Sequence, residues 1–117
     1  MNIYILEKEI SWDEVKKIAS ETFGNMAKGV VDIEKKIIAL GGELHADSEA
    51  KLLEHGSEQK NLWGFNIYTN QDRKDMIQYT SLINIRPAHG NTSLEIKDPD
   101  LKSRIQEIVF SLIGERQ

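Results

Sequence analysis

The residues best suited to catalysis lie in one short segment, residues 41–49, GGELHADSE. It places an acid, an imidazole and a second acid at alternate positions, as Glu43, His45 and Asp47. On a strand, alternate side chains share one face of the sheet. A carboxylate beside an imidazole raises the pKa of the imidazole and orients its ring, as general acid–base catalysis requires. The spacing makes His45 and Glu43 a candidate catalytic pair; the alternative is a surface histidine on an edge strand.

Two predicted strands carry further polar side chains that can share a face with this pair. Residues 62–68 and 76–86 are rich in aromatic and β-branched residues, and the polar run between them predicts an antiparallel hairpin. On a sheet with one helix-covered face, side chains alternate between core and solvent. The polar residues that this alternation assigns to the open face are Asn66, Tyr68, Asn84 and Arg86.

Arg86 is the residue of this face best suited to bind an anion. Its planar guanidinium can pair with a carboxylate or phosphate, and Asn91 lies in the adjoining turn 87–91, where backbone N–H groups can approach the same anion. We therefore expect a site for a small polar or anionic ligand. The alternative is that 87–91 is only a turn and that Arg86 pairs with an acid such as Glu43.

Other kinds of site have less support in the sequence. The chain contains no cysteine, which excludes disulfides, thiolate nucleophiles and Cys-ligated zinc. Its three histidines match no established metal-binding spacing, so we expect no metal and no cofactor. The formal charge of −4 argues against a protein that neutralises nucleic-acid phosphates. The apolar run at the amino terminus ends at Glu7, too early for a membrane span, and we expect a cytoplasmic protein.

The elements that position these residues are expected to form one domain of 117 residues. A first strand is predicted over 3–6, and Ser11 with Glu14 has the capping-box spacing of a helix start. Apolar residues at three- and four-residue steps predict a second helix over 25–40, with Gly41 as its left-handed C-terminal cap.

The remaining elements alternate between strand and helix. Residues 43–46 are predicted to form a short strand, with Asp47 as the N-cap of a third helix over 48–55. Residues 92–96 are a further short strand, and Asp98, followed by Pro99, starts the last helix. The order β-α-α-β-α-β-β-β-α predicts an α+β fold, a small and mostly antiparallel sheet of four to five strands with helices packed on one face.

Three segments, GGELHAD, LWGFNIY and INIRP, together resemble a family of short prokaryotic proteins classed as a domain of unknown function. The similarity covers about residues 28–113. It implies a small cytoplasmic prokaryotic protein, and it implies no activity and no catalytic residue. The order of one strand, two helices and later antiparallel strands also resembles small ribonuclease toxins of the RelE type, at the level of fold alone.

Three functions remain open from the sequence. The first is a domain that binds a small polar or anionic ligand on the polar sheet face. The second is a hydrolase or isomerase in which His45 is the general base, Glu43 orients it and Arg86 stabilises negative charge. The third is a structural or regulatory partner protein that forms a homodimer through its sheet edge or its last helix. Neither nucleic acid nor a membrane is an expected partner.

Overall fold

A five-stranded antiparallel sheet organises the computed structural model, which describes residues 2–115. The strands follow the order β1-β3-β2-β4-β5 across the sheet, so that β1 and β5 are its edges. The predicted α+β class and antiparallel sheet are confirmed. The strands are β1 (Ile3–Leu6), β2 (Met26–Asp32), β3 (Ile37–Gly41), β4 (Leu62–Tyr68) and β5 (Ile77–Gln78), and the helices are α1 (Trp12–Ser20), α2 (His45–Glu54) and α3 (Pro99–Leu112).

The helix predicted over 25–40 is wrong, because this segment forms the hairpin of β2 and β3. Both strands are central and are buried on both faces, so apolar residues follow one another without the alternation of a half-buried strand. Some of them also fall at helical spacing. The β-branched pairs Val30–Val31 and Ile37–Ile38 were the signal for strands. With a hairpin in place of the second helix, the resemblance to RelE-type toxins loses its basis.

Asp32 holds the turn of this hairpin together. Its side chain is fully buried, and its Oδ1 accepts hydrogen bonds from the backbone N–H groups of Glu34 and Lys35, both at 2.9 Å. Its Oδ2 accepts a hydrogen bond from the Ser57 hydroxyl at 2.6 Å. These bonds satisfy a charge that is costly to bury without partners, and they tie the hairpin to the segment that follows α2.

Helices cover both faces of the sheet. On one face, Ile18 of α1 and Ile108 of α3 belong to one apolar cluster that also includes Phe65 of β4. On the other face, α2 packs through Leu52 against Val30 and neighbouring residues of β2 and β3. The position of α2 departs from the expectation that all helices pack on one face. No helix within residues 2–115 has the length and apolar character needed to cross a membrane.

The first and last helices start where their caps predict. The Ser11 hydroxyl accepts a hydrogen bond from the backbone N–H of Glu14 at 3.1 Å, at the start of α1. The Asp98 carboxylate accepts hydrogen bonds from the N–H groups of Asp100 and Leu101 at the start of α3, where Pro99 occupies the first position. Caps of this kind depend on residues within one helical turn, which is why a local pattern identifies them.

Two of the predicted strands are largely replaced by irregular structure. Of the strand predicted over 76–86, only Ile77–Gln78 pairs with β4, and short 3-10 turns follow at Leu82–Asn84 and Pro87–His89. Residues 92–96 form no strand and contribute one isolated bridge, between Glu95 and Thr80. The segment between β5 and α3 is therefore a long loop, which we call the 79–97 loop.

Asp32→Ala is expected to lower the free energy of unfolding by about 2–4 kcal/mol, because it removes a charged acceptor that receives three hydrogen bonds. Urea unfolding followed by circular dichroism measures the change. The matched control is Glu34→Ala in the same turn, an exposed carboxylate whose removal should change stability by less than about 0.5 kcal/mol. Equal losses from the two substitutions would show that Asp32 does not hold the hairpin.

Candidate functional site

Glu43 and His45 do not share the face of a strand, because residues 43–46 are not a strand. Helix α2 begins at His45, with Leu44 as its N-cap, and Asp47 lies in the first turn instead of capping it. Glu43 is exposed, whereas His45 is buried. Gly41 has the positive φ predicted for it, 113°, but it ends β3 and no helix.

His45 has a structural contact inside the fold. Its Nε2 lies 2.9 Å from the backbone carbonyl oxygen of Phe65 in β4. A carbonyl oxygen can only accept a hydrogen bond, so Nε2 carries the proton and donates it. Burial lowers the pKa of His45, and the positive charge of Lys28 acts in the same direction. The imidazole is therefore neutral at pH 7 and fixes the start of α2 to β4. Its burial and its hydrogen bond to Phe65 give it a structural role in place of the predicted pairing with Glu43.

Asn66 and Tyr68 lie on one side of β4, as the alternation predicts, but this side is not an open face, because α2 packs on it and Asn66 is buried. The Asn66 Nδ2 donates hydrogen bonds to the Gln78 Oε1 at 3.0 Å and to the Thr80 carbonyl at 3.2 Å. The Tyr68 hydroxyl donates to the same oxygen of Gln78, also at 3.0 Å. Asn66 directly follows Phe65, the residue that His45 contacts, so His45 and Asn66 are brought to one region of the sheet.

Asn84 takes the place of a strand beside β4. Its side chain is fully buried; Oδ1 accepts from the Gly64 N–H at 2.8 Å, and Nδ2 donates to the Gly64 carbonyl at 3.0 Å. Strand β5 pairs with β4 only at Asn66 and Ile67. At Gly64, the carboxamide of Asn84 makes the two backbone hydrogen bonds that a neighbouring strand would otherwise make. The approach requires glycine at position 64, since a Cβ there would lie 2.5 Å from the Cβ of Ser81.

Asn91 closes the same loop from within. Its Nδ2 donates to the carbonyl oxygens of Asn84 at 2.8 Å and Ser93 at 2.9 Å, and its Oδ1 accepts from the backbone N–H of Lys97 at 3.1 Å. Its backbone also pairs with that of Arg86 in both directions, at 2.7 and 3.1 Å. The amides of Asn84 and Asn91 are thus used to fix the 79–97 loop against the sheet.

Arg86 lies where this loop meets α2. Its Nη2 is 3.1 Å from the Oε2 of Glu49, and the two side chains are only 11% and 14% exposed. Its Nη1 donates to the carbonyl of Gln59 at 2.8 Å, and its Nε to the carbonyl of Ile83 at 3.1 Å. The guanidinium carbon also lies 5.0 Å from the centre of the Trp63 ring, a cation–π distance.

The guanidinium of Arg86 retains capacity to bind. Burial lowers its pKa, and Glu49 opposes that shift, but a guanidinium stays charged in proteins. Three of its five N–H donors are used in the contacts above, which leaves one on each terminal nitrogen. The expected pairing with an acid is present, although the acid is Glu49 of α2 in place of Glu43.

A cleft of about 440 Å³ opens beside Arg86, between α2 and the 79–97 loop. We call it the Arg86 cleft. Two of its apolar residues are large and exposed, Leu82 by 78% and Ile85 by 44%. The lining combines polar or charged residues with apolar ones; the polar and charged residues are Glu49, Gln59, Lys60, Arg86 and His89, and the others are Leu82, Ile83, Ile85, Pro87 and Ala88.

Three residues that line the Arg86 cleft are not among those predicted from the sequence, namely Leu82, Ile85 and Glu49. The sequence predicts a regular strand for the first two, in which half of the side chains would face the core. A contrary signal was present, because Asn84, Pro87, Gly90 and Asn91 are residue types typical of turns and lie close together. Nothing in the sequence alone indicates that Glu49 reaches Arg86, since that contact depends on the position of α2.

Comparison with protein families identifies the family of this chain, and the description of that family names no activity. A family model described as "Protein of unknown function (DUF5674)" matches residues 4–112. The chain belongs to the DUF5674 family. The predicted resemblance to an uncharacterised family is confirmed, and no curated protein and no solved structure matches the chain. Within residues 2–115 of this DUF5674 protein, no three His, Asp or Glu side chains lie together as metal ligands would.

Asn84→Asp is expected to lower the free energy of unfolding by about 2–4 kcal/mol, because the carboxylate cannot donate to the Gly64 carbonyl and adds a buried charge. Chemical unfolding measures the loss. Asn70→Asp, in an exposed turn, makes the same chemical change and should cost less than about 0.5 kcal/mol. If both variants were equally stable, the side chain of Asn84 would not serve as the continuation of the sheet.

The lowered pKa of His45 predicts a loss of stability in acid. Below the ordinary histidine pKa of 6.5, the unfolded chain binds a proton at this position that the folded protein does not yet accept. The contribution is therefore complete above pH 6.5 and declines as the pH falls towards the folded-state value. In urea unfolding at a series of pH values, His45→Gln should reduce this dependence and His89→Gln, in an exposed turn, should retain it. Parallel curves for wild type and His45→Gln would refute the assignment.

Proposed function

We propose that this DUF5674 protein is a protein-interaction module that binds an extended segment of a partner protein in the Arg86 cleft. The observation that carries the proposal is Leu82, which is 78% exposed although its neighbours Ser81 and Asn84 are buried. A large apolar side chain held outward by a fixed loop is typical of a binding surface when others adjoin it. A cytoplasmic location, as expected from the sequence, is part of the proposal.

The surroundings of Leu82 support this function. Ile85 and Arg86 line the same cleft, and the guanidinium of Arg86 lies 5.0 Å from the centre of the Trp63 ring. Interfaces gain most of their affinity from a few apolar, aromatic and arginine anchors that become fully desolvated. Burying the side chain of Leu82 would contribute about 2 kcal/mol. Because the loop is already fixed by Asn84 and Asn91, little conformational entropy would be lost on binding.

The charges of the cleft favour a segment that carries an acidic side chain next to an apolar one. Arg86 has two N–H donors beyond its three contacts, and Lys60 stands at the rim, 66% exposed, with only a weak ion pair to Glu58 at 3.7 Å. Glu49 offsets one of these two positive charges. A carboxylate of the partner would form charge-assisted hydrogen bonds with Arg86, while its apolar neighbour would cover Leu82 and Ile85.

This proposal is favoured over the other two functions considered from the sequence. A small anion could contact Arg86 but would leave the apolar walls of the cleft uncovered. The acid–base alternative requires His45 to act on a substrate, but its ring is buried and donates to the Phe65 carbonyl. A protein segment is the partner that makes use of both the apolar and the charged residues of the cleft.

Selection of peptides from a random display library tests the proposal. We expect the selected peptides to carry Asp or Glu within two residues of Leu, Ile, Phe or Trp. Leu82→Ser should weaken their binding about tenfold or more, a loss of about 1.4 kcal/mol, and Lys60→Glu should weaken it as well. Fluorescence polarisation with a labelled peptide measures both.

Leu44→Ser is the matched control, because Leu44 is 57% exposed at the start of α2 and does not line the cleft. It should bind the peptides as the wild type does. The proposal fails if no peptides are enriched, or if the two leucine variants bind the selected peptides with equal affinity. Unfolding curves of both variants establish that each is folded under the conditions of the measurement.

A further inference from the structure

We propose that two copies of this chain pair through their β1 strands into a two-fold dimer, in which the two sheets become one continuous sheet. This surface is separate from the Arg86 cleft. Pairing through β1 would form the homodimer through a sheet edge that is one of the possibilities considered from the sequence. The last helix, the alternative surface for a homodimer, already packs into the core through Ile105, Ile108, Val109 and Leu112.

Strand β1 is an unusually apolar edge. It pairs only with β3, so its other side presents backbone N–H and C=O groups that no strand of the described chain pairs with. Tyr4 and Leu6 pack towards the α1 face of the sheet, and Ile3 and Ile5 towards the α2 face. Exposed edges are normally protected by a charge, a proline or a bulge. The residues Ile3–Leu6 include neither a charged residue nor a proline.

The opposite edge is protected in the usual way. Strand β5 has only two residues, Ile77–Gln78. The first residues after β5 pair with the far end of the 79–97 loop. The backbone N–H of Ile96 donates to the Tyr79 carbonyl at 3.0 Å, and that of Ser81 donates to the Leu94 carbonyl at 3.1 Å. The contrast identifies β1 as the edge at which the sheet can be extended.

A second copy of β1 is the occupant whose chemistry matches this edge. Two antiparallel strands related by a two-fold axis normal to the sheet place residues of the same face opposite each other. With the axis at Tyr4, the two Tyr4 residues face each other, and Ile3 of each copy lies opposite Ile5 of the other. Apolar residues then meet on both faces of the joined sheet, as they do in β2 and β3.

The charged residues that follow β1 restrict the register to this part of the strand. Glu7, Lys8 and Glu9 come directly after Leu6 and are exposed. With the axis at Tyr4, all three lie outside the matched apolar pairs. An axis at Leu6 would oppose Glu7 to Ile5 and Glu9 to Ile3, and an axis at Glu7 would oppose two like charges, which is destabilising. An axis near Tyr4 avoids both costs.

A groove beside β1 supports the same arrangement. It measures about 430 Å³, runs between β1 and α1, and includes Ile10 and Ile18 in its lining, with Glu14 and Lys17 as its charged residues. In the proposed pair, Tyr4 of the second copy projects towards this side of the sheet, because Tyr4 faces α1 in each copy. The tyrosine ring suits the apolar part of such a groove, while its hydroxyl donates a hydrogen bond to Glu21 of its own chain at 3.0 Å.

Sedimentation equilibrium over a wide range of concentrations tests the dimer. The wild type should reach twice its mass of 13.4 kDa. Ile5→Lys should remain a monomer, because a lysine on the edge opposes strand pairing. Leu44→Lys, an exposed leucine outside β1, should still dimerise. A wild type that stays monomeric at all concentrations, or an Ile5→Lys variant that dimerises like the wild type, would overturn the proposal.

A cysteine cross-link tests the register and does not depend on the folding of Ile5→Lys. Because the chain has no cysteine, Tyr4→Cys introduces a single thiol at the proposed axis, where opposed strands bring equivalent Cα atoms within disulfide reach. Under mild oxidation this variant should form a covalent dimer much faster than Leu44→Cys. Equal rates would overturn the pairing. Peptide binding at the Arg86 cleft should be unchanged in Ile5→Lys, which separates this proposal from the proposed function.

Discussion

The two hydrogen bonds between the side chain of Asn84 and the backbone of Gly64 determine the form of the second half of the chain. β4 is an interior strand whose backbone groups must be paired, yet β5 offers it only two residues. The Asn84 carboxamide has the donor and the acceptor of a peptide group and supplies what is missing at Gly64. A loop without regular structure is thereby fixed to the sheet, and the positions of Leu82, Ile85 and Arg86 follow from it.

The sequence predicts best those elements whose cause is local. Ser11 with Glu14, and Asp98 with Pro99, define helix starts through contacts within one turn, and both helices are found there. The pattern over 25–40 predicts a helix where β2 and β3 form a hairpin, because burial on both faces removes the alternation that distinguishes a strand. The strand predicted over 76–86 has the right composition, but Asn84 contacts Gly64, a residue 20 positions away, and no local pattern contains that information.

Two of the polar residues predicted for a site, Asn66 and Tyr68, lie on β4, but neither lines the Arg86 cleft. Alternation correctly puts Asn66 and Tyr68 on one side of that strand. The pairing of Arg86 with an acid was foreseen in kind, but the partner Glu49 depends on where α2 lies across the sheet. Placing Glu43 beside His45 required a strand at 43–46, whereas α2 starts at His45 and buries its ring. Some of the polar residues predicted for a site, such as His45 and Asn84, therefore hold the fold together. Leu82, by contrast, is predicted as part of a strand and is exposed in a loop.

The charge distribution bears on how the Arg86 cleft would select a partner. The chain carries a formal charge of −4, so an acidic segment is repelled at long range even though Arg86 and Lys60 attract it at contact. Salt at physiological strength screens charges over about 8 Å and weakens both effects. Electrostatics then adds little to the rate of encounter and acts mainly at contact, where it orients the carboxylate at Arg86. Most of the affinity must come from covering Leu82 and Ile85, which is why the partner needs an apolar residue beside the acid.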